Sequence, residues 1–216
     1  MNLLITAGPT REPLDPVRYL SNRSSGKMGY ALAAAAVALG HDVTLITGPV
    51  AISAPPGVKT IKVETAQEMF DAVSQVSGHQ DIAILAAAVA DYRPVVRYSQ
   101  KIKKQASSMY LELERTPDIL GSMRSRFNYA GYLVGFAAET ENVVTNAIDK
   151  LHRKNCDLIV ANDVSRQDTG FDSDENEVIL CFPSAPTEPL PKQSKQALAH
   201  VLLGRIVRLA AEKVPS

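Results

Sequence analysis

The chain has 216 residues, of which 45% are hydrophobic and 21% charged, and 23 Lys+Arg balance 23 Asp+Glu to a formal net charge of +0. This composition suits one sizeable globular core and excludes disordered and collagen-like chains, and the balanced charge gives no basis for non-specific attraction to nucleic acid or an anionic membrane. A small anionic ligand therefore needs a local basic site.

Asn2 to Ala7 is a short apolar run closed by Gly8-Pro9 and reads as a buried strand. Gly29 to Leu39, rich in Ala and Leu and stopped by Gly40, reads as a helix. Val43 to Thr47, closed by Gly48-Pro49, is the next strand, so the first fifty residues predict a right-handed βαβ unit. A strand at Val58 to Val63 precedes a capping box, Thr65-Ala66-Gln67-Glu68, and a helix to about Val76. Ile82 to Ala88 lacks polar alternation and reads as a strand covered on both faces, whereas Tyr110 to Glu114 alternates and is more exposed. Thr116-Pro117-Asp118 carries an N-cap, an N1 proline and a first-turn acid. A strand at Leu133 to Ala138, a helix at Glu141 to Asn155 and a strand at Leu158 to Ala161 follow.

Beyond Asp163 the stretch SRQDTGFDSDEN is polar and turn-rich, Glu177 to Phe182 is a strand, Pro183 to Pro191 holds four prolines, and Gln196 to Ala211 is an amphipathic helix. The last strand reads as antiparallel at one edge. The expected fold is α/β, a Rossmann-like doubly wound, mostly parallel sheet flanked by helices, with residues 1–216 forming a single domain. Cys156 and Cys181 lack metal-ligand spacing and read as structural thiols. The apolar run Tyr30 to Gly40 is too short to span a bilayer, and no signal core precedes it, so the chain is expected to be cytoplasmic.

SNRSSGKMG, Ser21 to Gly29, falls between two phosphate-binding patterns. A P-loop, G-x-x-x-x-G-K-S/T, requires glycine where Ser21 stands and a magnesium-binding hydroxyl where Met28 stands. The dinucleotide pattern keeps two of three glycines, yet the second strand ends in Thr47-Gly48-Pro49 with no acid for a ribose. What remains is a helix N-terminus whose free amides, with Ser24, Ser25 and Lys27 nearby, suit an anion. The competing reading is that Gly26 and Gly29 merely permit close packing and the hydroxyls merely cap the helix.

Other polar groups cluster at expected strand ends: Gly8 to Glu12, Ala90 to Arg93, Glu139-Thr140 and Asn162-Asp163. Lys101-Ile102-Lys103-Lys104 reads either as a solvated edge or as a loop lysine able to swing over a phosphate, with Asp91 ten residues earlier available to magnesium or a hydroxyl. Lys150 and Lys154 share one helix face. These separated basic sites beside a carboxylate suit a nucleoside triphosphate.

In the stretches GPTREPLDPVRYLSNRSSGKMGYALA, AAAVADYRP, KIKK, RTPDIL, VGFAAET and RKNCDLIVANDVS with GFDSDEN, the sequence resembles the phosphopantothenate-cysteine ligases, also called phosphopantothenoylcysteine synthetases. The resemblance implies a reaction of coenzyme A synthesis. The 4'-phosphopantothenate carboxylate attacks the α-phosphate of a nucleoside triphosphate, giving an acyl-nucleotidyl intermediate and pyrophosphate, and the amine of L-cysteine then forms an amide. CTP is expected from the bacterial wording of the motifs, with ATP the alternative, and Mg2+ is expected with the phosphates.

By the same resemblance Asn22 matches a catalytic asparagine that acts on the intermediate, by hydrogen-bonding its acyl or phosphate oxygens, and Lys101 matches the lysine that helps form it. Ser24, Ser25, Gly26 and Lys27 become the phosphate cradle. Ala86, Ala87, Ala88, Asp91, Pro117, Asp118, Ile119, Leu120, Phe136, Lys150 and Lys154 match nucleotide-binding positions, and Asp91 is the candidate metal ligand. Many bacterial relatives carry this module behind a flavin-dependent decarboxylase. This chain is expected to be a free-standing ligase or an excised domain, without FMN, and a homodimer. The alternatives are a Rossmann-type nucleotide-dependent oxidoreductase and a non-catalytic nucleotide-binding domain.

Overall fold

Asn2–Ala7 forms β1, buried from Leu3 onward, and its exit at Gly8 opens the edge on which the polar residues gather. The computed structural model describes residues 1–104, 107–165 and 173–213. Along the chain β1 is followed by β2 (Arg11–Pro13), β3 (Tyr19–Ser21), α1 (Lys27–Ala38), β4 (Asp42–Thr47), β5 (Lys59–Lys62), α2 (Ala66–Val76), β6 (Ile82–Leu85) and β7 (Tyr92–Pro94). Then come β8 (Leu113–Arg115), α3 (Ile119–Ser125), β9 (Tyr132–Glu139), α4 (Val143–Lys154), β10 (Leu158–Asp163), β11 (Glu175–Cys181), β12 (Glu188–Ser194) and α5 (Lys195–Lys213).

Eight strands share one sheet in the order β12-β11-β10-β9-β6-β1-β4-β5. The six strands from β10 to β5 are parallel, and β11 and β12 continue antiparallel, as expected for the C-terminal edge. Numbered by appearance, the parallel strands run 3-2-1-4-5-6, the doubly wound order, whose direction reverses between β1 and β6. Helices α1 and α5 bury Leu32, Ala35, Leu198 and Leu202 against one face. On the other face α2, α3 and α4 contribute Met69, Val73, Met123 and Leu151. Covered on both faces, β6 and β9 are apolar without alternation, which is why those strands read clearly in the sequence.

Several boundaries differ from expectation for local reasons. Helix α1 starts two residues earlier, at Lys27, behind Gly26 in a left-handed conformation (φ 77°), and no side chain caps it. The N-cap of α3 is Asp118, not Thr116: its carboxylate accepts from the Gly121 amide at 2.9 Å, while the Thr116 hydroxyl donates to the Ala90 carbonyl at 2.6 Å. Pro183 to Pro191 contains the start of β12, which lies at the edge of the sheet, where proline is tolerated. The Tyr110 to Glu114 alternation yields only the three-residue β8, paired with β7. Within SRQDTGFDSDEN, residues 166–172 lie outside the described residues.

Candidate functional site

Two adjoining clefts open over the carboxyl ends of β1, β6, β9 and β10, at the point where strand order reverses. Ala87, Val89, Asp91, Phe136 and Lys150 line both and form the partition. The partition is fastened to the exit of β1. The Ala88 amide donates to the Gly8 carbonyl (2.9 Å), the Ala87 amide to the Thr6 hydroxyl (3.2 Å) and the Ala90 amide to the Thr10 hydroxyl (2.9 Å). Short Ala side chains let this loop lie close to β1 while keeping the clefts open.

The first cleft, about 460 Å³, is lined by Asp91, Asp118, Ile119, Leu120, Phe136, Lys150 and Lys154, all foreseen as nucleotide positions. Glu139, Asn146, Asp149 and Arg153 also line it. The amphipathic turn of α4 brings Lys150 and Lys154 to one side. Lys150 Nζ donates to the Phe136 carbonyl at 2.8 Å, and burial, opposed by Glu139, holds its ammonium below the ordinary lysine range. Burial would raise the Asp118 carboxyl, but hydrogen bonds from Lys154 and the Gly121 amide outweigh it and keep it low.

The second cleft, about 400 Å³, takes Asn22, Ser24, Ser25, Gly26 and Lys27 on one side and Ala86, Ala87 and Ala88 at the base. A Cβ on Gly29 would stand 2.5 Å from the Ala7 Cβ, so this glycine does serve close helix-on-sheet packing. Gly26 is packed as well, since a Cβ there would stand 2.8 Å from Val50 Cγ1, and its positive φ in addition turns the chain so that α1 begins, with no side-chain cap, beside the cleft. The packing reading therefore holds for both glycines, while no side chain caps α1 and the Ser24 hydroxyl instead accepts from the Gly26 amide at 3.4 Å. Lys27 Nζ bonds Asp174 at 2.6 Å, and that lysine depresses the Asp174 carboxyl.

Asn22 follows β3 and directs its Nδ2 to the carbonyls of Ala88 (3.2 Å) and Val89 (2.9 Å). Both hydrogens are thus committed to backbone, and Oδ1 is the atom the side chain offers beyond the loop.

Pro117 lines neither cleft, because it precedes the cap of α3 instead of forming its first turn. Lys101 lines neither cleft. It lies, as expected, on the loop between β7 and β8 and is exposed. The sequence reading did not single out Asn176 or Lys195, and it noted Asn162 only as a strand end, yet all three wall the second cleft. Asn162 is buried, and its Oδ1 has no hydrogen-bond partner among the described residues. Position after a β-branched strand was the signal available for Asn162; Lys195 opens a helix distant in sequence and carried none.

Among the described residues no group of three His, Cys, Asp or Glu side chains could hold a metal ion. Asp91, lining both clefts, supplies one carboxylate, which suits a magnesium carried mainly by substrate phosphates and not a protein cage. Cys156 and Cys181 are buried free thiols, and burial pushes Cys156 up to about 12. No helix among the described residues is long and apolar enough to cross a membrane.

The family model described as "DNA/pantothenate metabolism flavoprotein C-terminal domain" matches residues 1–209. The chain is 49% identical over 216 residues to the coenzyme A biosynthesis bifunctional protein CoaBC of Escherichia coli strain K12, covering 99% of this chain and 53% of that protein. Against the protein of the same name from Bacillus subtilis strain 168 the identity is 46%, over 98% of this chain and 52% of the relative. The chain thus spans about half the length of the curated relatives it matches. A crystal structure of the C-terminal domain of CoaBC superposes with a TM-score of 0.82 at 42% identity, covering 98% of this chain and 96% of that one. A Cab2 variant in complex with phosphopantothenate-cysteine shares the fold, with a TM-score of 0.78 at 17% identity over 98% and 86% of the two chains.

Proposed function

This chain belongs to the DNA/pantothenate metabolism flavoprotein C-terminal domain family, and from that premise we propose that it is a phosphopantothenate-cysteine ligase acting in coenzyme A biosynthesis. The observation that carries the reading is the pair of clefts meeting at the strand-order reversal, one walled by the α3 cap and the α4 lysines, the other by Asn22 and the uncapped amides of α1. Its relatives are named as bifunctional proteins of coenzyme A biosynthesis.

In this reading the first cleft takes the nucleoside, with Phe136 against base or ribose and the Ile119-Leu120 turn at the base edge. The α1 amides, with Ser24, Ser25 and Lys27, hold the phosphates by hydrogen bonds and the helix dipole. The 4'-phosphopantothenate carboxylate attacks the α-phosphate and pyrophosphate leaves. Lys101, on the loop between β7 and β8, neutralises the charge that develops there. Asn22 Oδ1 then accepts a hydrogen bond from the cysteine amine and orients its nitrogen toward the acyl carbon, the amine proton passing to solvent as the C–N bond forms. The new amide forms as the nucleoside monophosphate departs. Mg2+ would supply charge neutralisation between the phosphates, with Asp91 the residue to hold it. The reading calls on no FMN.

CTP is the proposed nucleotide, supported by the bacterial relatives and by the motif wording. The end of β4, where an oxidoreductase of this fold carries a ribose-binding acid, is Thr47-Gly48, and a Cβ on Gly48 would meet the Pro9 carbonyl oxygen at 1.7 Å. That close approach weighs against the dinucleotide alternative. A cytoplasmic homodimer is proposed as well, supported by exposed Val95, Val96, Tyr98 and Tyr110 beside the lysine loop.

The test is pyrophosphate release with phosphopantothenate, cysteine, Mg2+ and either CTP or ATP. Release with CTP in marked preference is expected, and no release with either nucleotide overturns the reading. Light scattering of the purified protein checks the dimer. Mass spectrometry of the native polypeptide separates a free-standing ligase from part of a bifunctional chain.

A further inference from the structure

Residues 95–112 join β7 to β8, and the described ones form neither helix nor strand. Such a segment keeps its place only where other groups satisfy its backbone. Apart from the Val95 amide, which donates to the Glu112 carbonyl at 3.0 Å, those groups belong to the β2–β3 hairpin. The Tyr98 amide donates to the Leu14 carbonyl at 2.9 Å. Ile102 is held from both sides: its amide donates to Asp15 Oδ2 at 3.1 Å, and its carbonyl accepts from the Arg18 guanidinium at 3.1 Å. Ile102 sits between Lys101 and Lys103.

Asp15 is built for this contact. Its carboxylate is fully buried and accepts from the Val17 amide (2.8 Å), the Arg18 amide (2.9 Å) and Arg18 Nε (3.0 Å), with a further hydrogen bond from the second guanidinium nitrogen. These bonds fix both oxygens, so the one facing the loop is aimed before Ile102 arrives. The same hairpin runs at its other end from Ser21 into Asn22, and the Ser21 hydroxyl ties that end to the Thr10 carbonyl at 2.7 Å. One short hairpin therefore carries Asn22 at its foot and the mooring of the lysine loop at its tip.

We infer that Asp15 is a positioning residue that, together with Arg18, moors Ile102 and so sets where Lys101 stands relative to Asn22. The inference rests on the role given to Lys101 above. Asn at position 15 keeps the shape but replaces one acceptor oxygen with a donor, so at least one of these bonds is lost.

The experiment separates the two half-reactions in Asp15→Asn. Formation of the acyl-nucleotidyl intermediate, the step given to Lys101, is expected to slow by about tenfold or more. Transfer of preformed intermediate to cysteine, the step given to Asn22, should stay within about twofold of the native rate. A hairpin merely loosened would slow both steps, because Asn22 shares it. Equal slowing of both steps, or of neither, overturns the inference. In parallel, amide hydrogen exchange across 98–104 should quicken in Asp15→Asn while β1 and β6 stay protected, and unchanged exchange also overturns it. This second readout stands even if the native protein makes no intermediate, an outcome that would defeat the functional reading instead. Should Asp15→Asn fail to fold, Ile102→Pro deletes the same hydrogen bond from the loop side, with the same expectations.

Discussion

Lys154 donates to the carboxylate of Asp118 while that carboxylate caps α3 through the Gly121 amide, so one acid joins a helix start to the basic face of α4. Asp118→Ala removes both contacts. It is expected to lower stability by about 1 kcal/mol, the usual cost of a lost N-cap, and to raise the nucleotide KM several-fold. Lys154→Met, which spares the cap, should raise KM with little change in melting temperature. Thermal melts beside steady-state kinetics on both variants check the split.

Lys150 gives a pH dependence. Burial lowers its pKa in the folded chain below the ordinary 10.5, so between the folded and unfolded values the unfolded state binds more protons and stability rises with pH. An anionic ligand favours the charged ammonium and pulls the other way. Nucleotide affinity should therefore fall as pH rises through the lowered Lys150 pKa toward 10.5, where the triphosphate is already fully ionised. Lys150→Met should flatten that fall. Calorimetry in buffers of different ionisation enthalpy should register proton uptake on binding to the native protein alone.

Asn22→Asp is nearly isosteric, but it places carboxylate oxygens against the carbonyls of Ala88 and Val89 that the amide now bridges. The acyl-nucleotidyl intermediate is expected to accumulate in this variant because its breakdown, more than its formation, is impaired. Wild-type turnover would contradict the role. Quenched-flow sampling of the intermediate decides it.

Gly29 offers a purely structural control. A Cβ there would lie 2.5 Å from the Ala7 Cβ and 3.1 Å from its Cα, both rigidly placed, so Gly29→Ala is expected to cost on the order of 1–3 kcal/mol by overpacking. Chemical denaturation measures it. Gly26→Ala adds strain at a positive φ, of about 1–2 kcal/mol, and should also weaken nucleotide binding, since its amide turn opens onto the second cleft.

Sequence pattern revealed most where burial is symmetrical. Strands such as β6 and β9 are apolar on both faces, and the Thr65 to Glu68 capping box recurs in the structure with both of its hydrogen bonds. It revealed least where structure depends on distant partners. Thr116 looked like an N-cap because its side chain suits one, yet its hydroxyl is spent on Ala90 and the acid two residues on does the capping. The β2–β3 hairpin escaped notice because strands of three residues are too short to show a period. Pattern alone pointed to Ser24, Ser25, Lys27, Asp91, the Lys101 run, Lys150 and Lys154, at helix starts, strand ends or on one helix face, while Asn22, Ala86 to Ala88, Pro117 to Leu120 and Phe136 were named only through the family resemblance. Lys195 reaches the second cleft only through the packing of α5 beside α1, which no local pattern encodes.

The proline-bearing strand β12 has a consequence for how the chain behaves in a crowded solution. An open sheet ends in two rows of unpaired backbone groups, each a template for another molecule's strand. At one end Pro189 and Pro191 withhold the amides such a strand would need, and at the other β5 is only four residues long with Lys59 and Lys62 at its ends. The sheet is thereby guarded at both margins against growing by addition of further chains, and replacing those two prolines with Val should show itself as aggregation well before any loss of fold.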